Sequence, residues 1–239
     1  MMVRIAKAIA ARTAYSRREA ERLIAEGRVS YAGERITHPA TQVELDSPLL
    51  AVDGKPLPSV AAPEIWLLHK PTGMITTTKD PEGRPTVFSL LPPHLRHLMV
   101  VGRLDMQSEG LLLFTNSAAI KRHLEHPAHA LERRYRVRVY GALDMAVYKQ
   151  LQDGITLDGI YYRPVDISII SQTGRNIWLQ FALKEGKNRE IRMLCTALGV
   201  RVNRLIREAY GPFTLGKLPK SHYQQASQKY VDALWSTIL

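Results

Sequence analysis

The sequence has a single cysteine, Cys195, in 239 residues, so no intramolecular disulfide can form and a reducing, cytoplasmic setting is expected. It has no run of about 18 apolar residues, so no membrane span and no membrane partner are expected. The N-terminus, Met1-Met2-Val3-Arg4-Ile5, carries charge every few residues, unlike the apolar stretch of a secretory signal. No Gly-x-x-x-x-Gly-Lys loop is present; Lys187 follows only the lone Gly186, too weak a match for a nucleotide-phosphate site. Pro127 interrupts the His123-x-x-His126-x-x-His129 run, which lacks an acid or thiol partner at ligand spacing. No metal and no small-molecule cofactor are therefore expected. Ser108 has no nearby histidine suited to a triad. Internal repeats and low-complexity tracts are absent.

What the chain has in excess is positive charge. Lys and Arg number 33 against 22 Asp and Glu, a formal net charge of +11, which points to an acidic partner such as nucleic acid or an anionic membrane surface. Hydrophobic residues make up 45%, enough for a globular core. Cys195, in the apolar stretch Met193-Leu194-Cys195, reads as a core residue. Pro56, Pro58 and Pro63 fall in one short stretch, Lys55–Pro63, which reads as a semi-rigid linker dividing residues 1–60 from residues 61–239.

The small N-terminal part has legible local structure. Ile5, Ala8 and Ile9 recur at helical spacing. Ser16-Arg17-Arg18-Glu19 is a capping box that opens a second helix with Ala20, Leu23 and Ile24 on its apolar face and Gly27 just past its end. A short strand from Arg28 to Tyr31, an Ala32-Gly33 turn and a strand to Ile36 complete a hairpin. Arg4, Lys7, Arg12, Arg17, Arg18, Arg22 and Arg28 crowd this region. Arg18 and Arg22 share a helix face, and arginines near a helix N-terminus can hold phosphates with the free backbone amides. A solvated surface is the plainer reading, and Glu19, Glu21 and Glu26 partly favour it. Ser16-Arg17-Arg18-Glu19-Ala20 through Glu26-Gly27-Arg28-Val29, followed by Gly33, resembles the αL RNA-binding domain of ribosomal protein S-four. The resemblance covers residues 2–60 and implies RNA as the ligand, with Ser16 and the basic residues Arg4, Lys7, Arg17, Arg18, Arg22 and Arg28 in that domain's RNA-binding part.

The larger part alternates strands and helices. Strands are expected at Ile65–His69, Leu111–Thr115, Tyr135–Tyr140 and Ile177–Leu183, and helices at Ala118–Leu124, Met145–Gln152 and Asn188–Leu198. This is an α+β pattern. Two further basic clusters are candidates to track an RNA backbone: Arg133, Arg134, Arg136 and Arg138, and Lys184, Lys187, Arg189, Arg201, Arg204 and Arg207.

One segment carries the chemistry. Gly102-Arg103-Leu104-Asp105, followed by Ser108-Glu109-Gly110-Leu111-Leu112, resembles the catalytic motif of pseudouridine synthases of the RsuA/RluB group. Three other segments match in order. Leu68-His69-Lys70-Pro71-Thr72-Gly73 resembles the family's Asn-Lys-Pro-x-Gly segment, with His69 in place of Asn. Arg133-Arg134-Tyr135 resembles its Lys-x-Tyr segment, with Arg133 in place of Lys, and Glu185–Arg192 resembles the segment whose final arginine pairs with the catalytic aspartate. The tail, Arg204–Arg207 and Tyr210-Gly211-Pro212-Phe213, looks like the RluB branch. The resemblance implies an αL domain followed by a catalytic domain with a mixed, largely antiparallel sheet, and an isomerase acting on rRNA, large-subunit 23S rRNA by the branch. Asp105 would be the catalytic carboxylate, Arg192 its ionic partner, and Tyr135 the ring that stacks on uracil. Arg103 would fill the space vacated by the flipped base, and Leu104 and Ile191 are candidates to wall the pocket, with ordinary core residues the plainer reading. Lys70, Arg133, Lys187 and Arg189 would bind substrate. A monomer working on rRNA or a pre-ribosomal particle is expected. The alternatives are a small-subunit rRNA enzyme and a non-catalytic RNA-binding or ribosome-assembly protein.

The bare chemistry suits these residue types. Isomerising uridine breaks the base–ribose bond, turns the uracil and rejoins it through carbon 5, with no net redox change. A carboxylate beside the sugar can act as nucleophile or base, and a guanidinium fixes its charge and orientation.

Overall fold

The computed structural model describes residues 2–13 and 15–238, which divide into two units. One runs to Pro63 and includes Asn116–Ala118; the other comprises Glu64–Thr115 and the chain from Ala119 onward. Among the described residues no helix is long and apolar enough to cross a membrane.

The first unit opens with β1 (Met2–Arg4), α1 (Ile5–Arg12) and α2 (Arg17–Ala25). The capping box is complete: the Ser16 hydroxyl accepts the Glu19 N–H at 3.2 Å, and the Glu19 carboxylate accepts the Ser16 N–H at 2.7 Å. The helix stops at a left-handed Gly27, whose N–H reaches the Ile24 carbonyl while that of Arg28 reaches Leu23, satisfying carbonyls the helix leaves open. β2 (Val29–Tyr31) and β3 (Glu34–Ile36) form the expected hairpin, with Ala32 and Gly33 both at positive φ in its two-residue turn. β4 (Gln42–Glu44) pairs with β1, and β5 (Leu50–Val52) pairs with β2 and with β6 (Lys55–Pro56). Ile5, Ile9, Leu23, Ile24, Val43 and Leu50 fill the core.

Two expectations are corrected here, for the proline-rich stretch and for Arg12. The proline-rich stretch begins as an edge strand, the one sheet position where proline's missing N–H is tolerated. Arg12, grouped by sequence with the exposed basic residues, is 6% exposed and donates to the carbonyls of Pro58 (2.6 Å), Ser47 (2.7 Å) and Leu57 (2.8 Å). Arg28 is held by Asp53 at 2.6 Å and Glu26 at 3.2 Å. Arg4, Arg17, Arg18 and Arg22 are exposed, with Arg22 3.6 Å from Glu26.

The second unit is built on one mixed sheet. Its elements are β7 (Ile65–Lys70), β8 (Met99–Val101), β9 (Glu109–Thr115), α3 (Ala118–Glu125), β10 (Arg133–Gly141), α4 (Met145–Asp153), β11 (Ile155–Leu157), β12 (Ile160–Tyr162), β13 (Asp166–Thr173), β14 (Asn176–Leu183), α5 (Glu190–Ala197), β15 (Val200–Tyr210), β16 (Phe213–Thr214), β17 (Tyr223–Gln225) and α6 (Gln228–Ser236). The strand order is β13-β14-β10-β15-β9-β7-β17, with β8 beside β9, β16 beside β15, and a separate β11–β12 hairpin. Pairing is antiparallel except between β15 and β9. The α+β, largely antiparallel expectation matches this sheet.

β9 is buried along its whole length, which explains its continuous apolar run. Leu112 and Phe114 pack on one side against Phe88, Leu91 and Leu98; Leu111 and Leu113 pack on the other against Ile120, Leu124 and Val231. In the other half of the sheet, Val137, Val139 and Phe181 pack under Leu194 and Cys195 of α5. Burial pushes the Cys195 thiol up to about 12, so it is an inert core group. At Gly110 a side chain would lie 2.3 Å from the Arg207 carbonyl, so only glycine lets β9 approach β15 there.

Arg12→Met should leave the carbonyls of Ser47, Leu57 and Pro58 without their charged donor, at a cost of about 3 kcal/mol. Calorimetry should show the transition of the first unit lowered and that of the second retained; an unchanged profile would mean these bonds contribute nothing net.

Candidate active site

The sheet register sets Phe181, Tyr135, Arg207, Gly110 and Lys70 at one level across five adjacent strands. The loop of residues 102–108 joins β8 to β9 beside this level. It is tied down through its backbone. The Gly102 N–H donates to the Glu125 carboxylate at 2.7 Å. The Thr76 hydroxyl donates to the Leu104 carbonyl at 2.8 Å and accepts the Leu104 N–H at 3.3 Å. The Ser108 N–H closes a turn on the Asp105 carbonyl at 3.0 Å, and the Gly73 N–H reaches Met106 at 2.8 Å.

At the centre of these contacts lies Lys70. Its side chain is fully buried, and its ammonium donates to the carbonyls of Ser108 (2.8 Å), Asp105 (3.0 Å) and Pro71 (3.0 Å). Burial pushes this ammonium down to about 8, against the opposing pull of Asp105's charge. Lys70 therefore acts on the loop, and its expected direct contact with substrate is corrected to a positioning role.

The Asp105 side chain remains 40% exposed. Its carboxylate lies 3.7 Å from Arg189 Nη1 and 4.0 Å from Arg192 Nε. Both guanidiniums act by charge at these distances, and among the described residues no side chain donates a hydrogen bond to the carboxylate. Arg192 is mostly buried; its Nη2 donates to the Gln107 carbonyl at 3.1 Å, and its Nε lacks a hydrogen-bond partner. Beside this pair is a shallow cavity of about 250 Å³ lined by Thr72, Gly73, Met106, Gln107, Arg192 and Asn203.

Arg189 sits left-handed, with φ 51°, at the N-cap of α5, so the helix begins at Glu190 and not at Asn188. A buried acid cluster fixes this start. The Lys187 N–H donates to Glu190 Oε2 at 3.0 Å, the Lys187 ammonium pairs with Glu185, and Glu185 also accepts the Arg163 N–H at 2.9 Å. Burial, with Glu185 beside it, raises the Glu190 carboxyl to about 7.

The remaining candidates separate by burial. Arg103 is exposed and Leu104 is buried in the loop. Ile191 belongs to the α5 core with Val137 and Leu194, which corrects its expected place in a pocket wall. Arg133 stacks on Tyr210 at 4.5 Å and donates to its hydroxyl at 2.9 Å; it is a structural tie. Lys187 is taken up by Glu185 and the Tyr162 face. Tyr135 is half-buried at the start of β10, and no hydrogen bond joins it to Asp105 among the described residues. Arg207, grouped by sequence with the backbone-tracking residues, is 2% exposed and donates to the Leu111 carbonyl at 2.7 Å. Sequence reasoning missed Thr76, Glu125 and Glu109; the last is buried between Arg204 and Lys220. The partners that give these residues their roles lie 23 to 111 residues away, beyond any local signal.

A carboxyl whose folded-state pKa lies above its unfolded value makes stability fall as pH rises from the unfolded value toward the folded one. For Glu190 that window runs from 4.5 to about 7. Glu190→Gln should therefore raise the unfolding temperature slightly at pH 5 and more at pH 8; an equal gain at both values would contradict the assignment.

Comparison with known proteins identifies the family. An RNA pseudouridylate synthase family model matches residues 64–197, and an S4-domain model matches residues 3–47. A Rickettsia felis protein described as an uncharacterized RNA pseudouridine synthase is 42% identical, covering 97% of this chain and 100% of its own. Ribosomal large subunit pseudouridine synthase B of Yersinia pestis is 40% identical, covering 92% of this chain and 71% of its own. A solved pseudouridylate synthase superposes with a TM-score of 0.68 at 23% identity, covering 97% of this chain and 99% of its own, a likeness of fold. With an S4 RNA-binding domain ahead of a matched synthase domain, the chain belongs to the RNA pseudouridylate synthase family, as an isomerase of the RsuA/RluB type.

Proposed function

We propose that this enzyme converts a specific uridine of large-subunit 23S rRNA to pseudouridine, with Asp105 as the catalytic carboxylate. The observation that carries the proposal is the half-exposed Asp105 carboxylate, flanked by Arg189 and Arg192 on a loop whose backbone is fixed by Lys70. The large-subunit target rests on the relatives' names, which include ribosomal large subunit pseudouridine synthase B in Yersinia pestis and Pasteurella multocida. The RNA is free rRNA or a pre-ribosomal particle in the cytoplasm, the enzyme works as a monomer, and residues 1–60 hold the RNA through Arg4, Lys7, Arg17, Arg18 and Arg22.

In this reading the target nucleotide leaves its stack, at a cost of a few kcal/mol that an irregular RNA region lowers. Arg103, exposed beside the loop, takes the vacated place by stacking. Asp105 acts on the ribose while the bond from N1 of uracil to C1′ breaks: it either bonds to C1′, a bond that breaks again when C5 attacks C1′, or removes the C2′ proton, which it returns to C2′ as the C5–C1′ bond forms. The uracil turns and a bond forms between C5 and C1′. C5 then loses its proton and N1 gains one, so the reaction balances without an oxidant or a second substrate. Arg192 faces the carboxylate from 4.0 Å, and Tyr135 supplies a ring for the uracil and a phenol to move the C5 proton.

Asp105→Asn keeps the side-chain shape and removes the charge. Pseudouridine mapping on 23S and 16S transcripts should show one mark, or a few clustered marks, on 23S with the parent protein. The variant should lose about 10³-fold in rate while RNA affinity holds. Full turnover by the variant would refute the role of Asp105, and a mark confined to 16S would refute the target.

A further inference from the structure

Alternation gives β10 two faces. Val137 and Val139 lie in the core beneath α5, the helix whose Arg192 meets the Asp105 loop. Arg134, Arg136, Arg138 and Tyr140 take the intervening positions and are exposed, so they look out from the opposite side of the sheet. Across the sheet, Arg201 is paired with Tyr140 and Arg204 with Arg138. Arg175 sits in the turn between β13 and β14, where its carbonyl accepts the Gly141 N–H at 2.9 Å.

The charges on this back face fall into two groups. Arg134 is paired with Glu132 at 3.2 Å, Arg136 with Glu208 at 2.9 Å, and Arg204 with Glu109. Arg138, Arg175 and Arg201 have no carboxylate partner among the described residues; Arg138 donates only to the neutral Asn176 side chain, at 3.1 Å. Arg175 and Arg201 both lie over the Tyr140 ring, at 5.5 Å and 6.0 Å from its centre, and Tyr140 is 40% exposed. Two of these guanidiniums crowd the same half-exposed ring, Arg138 lies two residues away on the same strand face, and like charges repel. A purely structural patch would relieve that with carboxylates, as the other end of this face does. There, Glu132 and Asp166 line a shallow cavity of about 270 Å³, which bounds the cationic region. Unpaired arginines bind phosphates, and an open aromatic ring stacks on an unpaired base without regard to its identity.

We propose that the back face of the sheet, centred on Tyr140 with Arg138, Arg175 and Arg201, is a second RNA-binding site that takes an unpaired segment of the substrate rRNA remote from the target uridine. The inference rests on the reading of the chain as an rRNA enzyme. Because the site is on the far side of the sheet from Asp105, it engages RNA that a minimal substrate lacks.

The test compares the parent with the triple variant Arg138→Ala, Arg175→Ala, Arg201→Ala and with a charge-matched control, Lys149→Ala, Lys217→Ala, Lys229→Ala. Filter binding to full-length 23S transcript and to a short hairpin around the mapped uridine is followed across salt concentrations. For the transcript, the triple variant should flatten the slope of log K against log salt by about 2. Its affinity for the transcript should fall at least ten times more than its affinity for the hairpin. Tyr140→Ala should weaken transcript binding about 10-fold, with Tyr140→Phe restoring it. An unaltered slope, an equal loss with the lysine control, or an equal loss on the hairpin would each overturn the proposal. Pseudouridine formation by the parent on the same transcript checks the rRNA reading separately.

Discussion

A single buried ammonium organises the candidate active site. Lys70 ends β7 with its side chain wholly out of solvent, and carbonyls of Pro71, Asp105 and Ser108 converge on its three donors. Burying an unpaired charge is prohibitive, so the loop must bring those carbonyls inward for the chain to fold. That requirement turns the Asp105 backbone into the protein and leaves its carboxylate facing out toward Arg189 and Arg192. The close parallel pairing of β9 and β15 at Gly110 supplies the level from which the loop departs.

Arginine does three different jobs here, and burial decides which. Arg12, Arg133 and Arg207 point their guanidiniums at carbonyls or an aromatic ring and act as internal ties. Arg189 and Arg192 stand 3.7 Å and 4.0 Å from Asp105, close enough to set its field without saturating its oxygens. Arg175 and Arg201 lie over Tyr140, with Arg138 on the same strand face, and none of the three has a carboxylate partner among the described residues. The net charge of +11 therefore overstates the surface available to RNA and says nothing of where that surface lies.

Local signals are legible in the sequence wherever neighbours along the chain decide the structure. The Ser16–Glu19 box, the Gly27 stop, the Ala32-Gly33 turn and the periodicities of α3 and α4 all recur in the fold. β15 escapes notice, although it is the central strand and 11 residues long. Asn203, Arg204 and Arg207 interrupt its apolar pattern, and register shifts beside Tyr135 and Val139 break the alternation. β13 is hidden for a different reason: it is an edge strand, exposed at all but one position. In the candidate site, the motif around Asp105 marks a loop, but the roles of Thr76 and Glu125 depend on partners 28 and 23 residues away. Local sequence carries no trace of such pairings.

The most direct test of the account is the behaviour of Lys70→Met, which keeps the stem of the side chain and removes the ammonium. The account predicts a folded protein in which the Ser108 amide loses its protection from hydrogen exchange. Single-turnover pseudouridine formation should fall at least about 10-fold, with RNA affinity retained. Parent-like exchange and parent-like turnover would show that the loop keeps its shape without the ammonium, and would contradict the claim that Lys70 places Asp105.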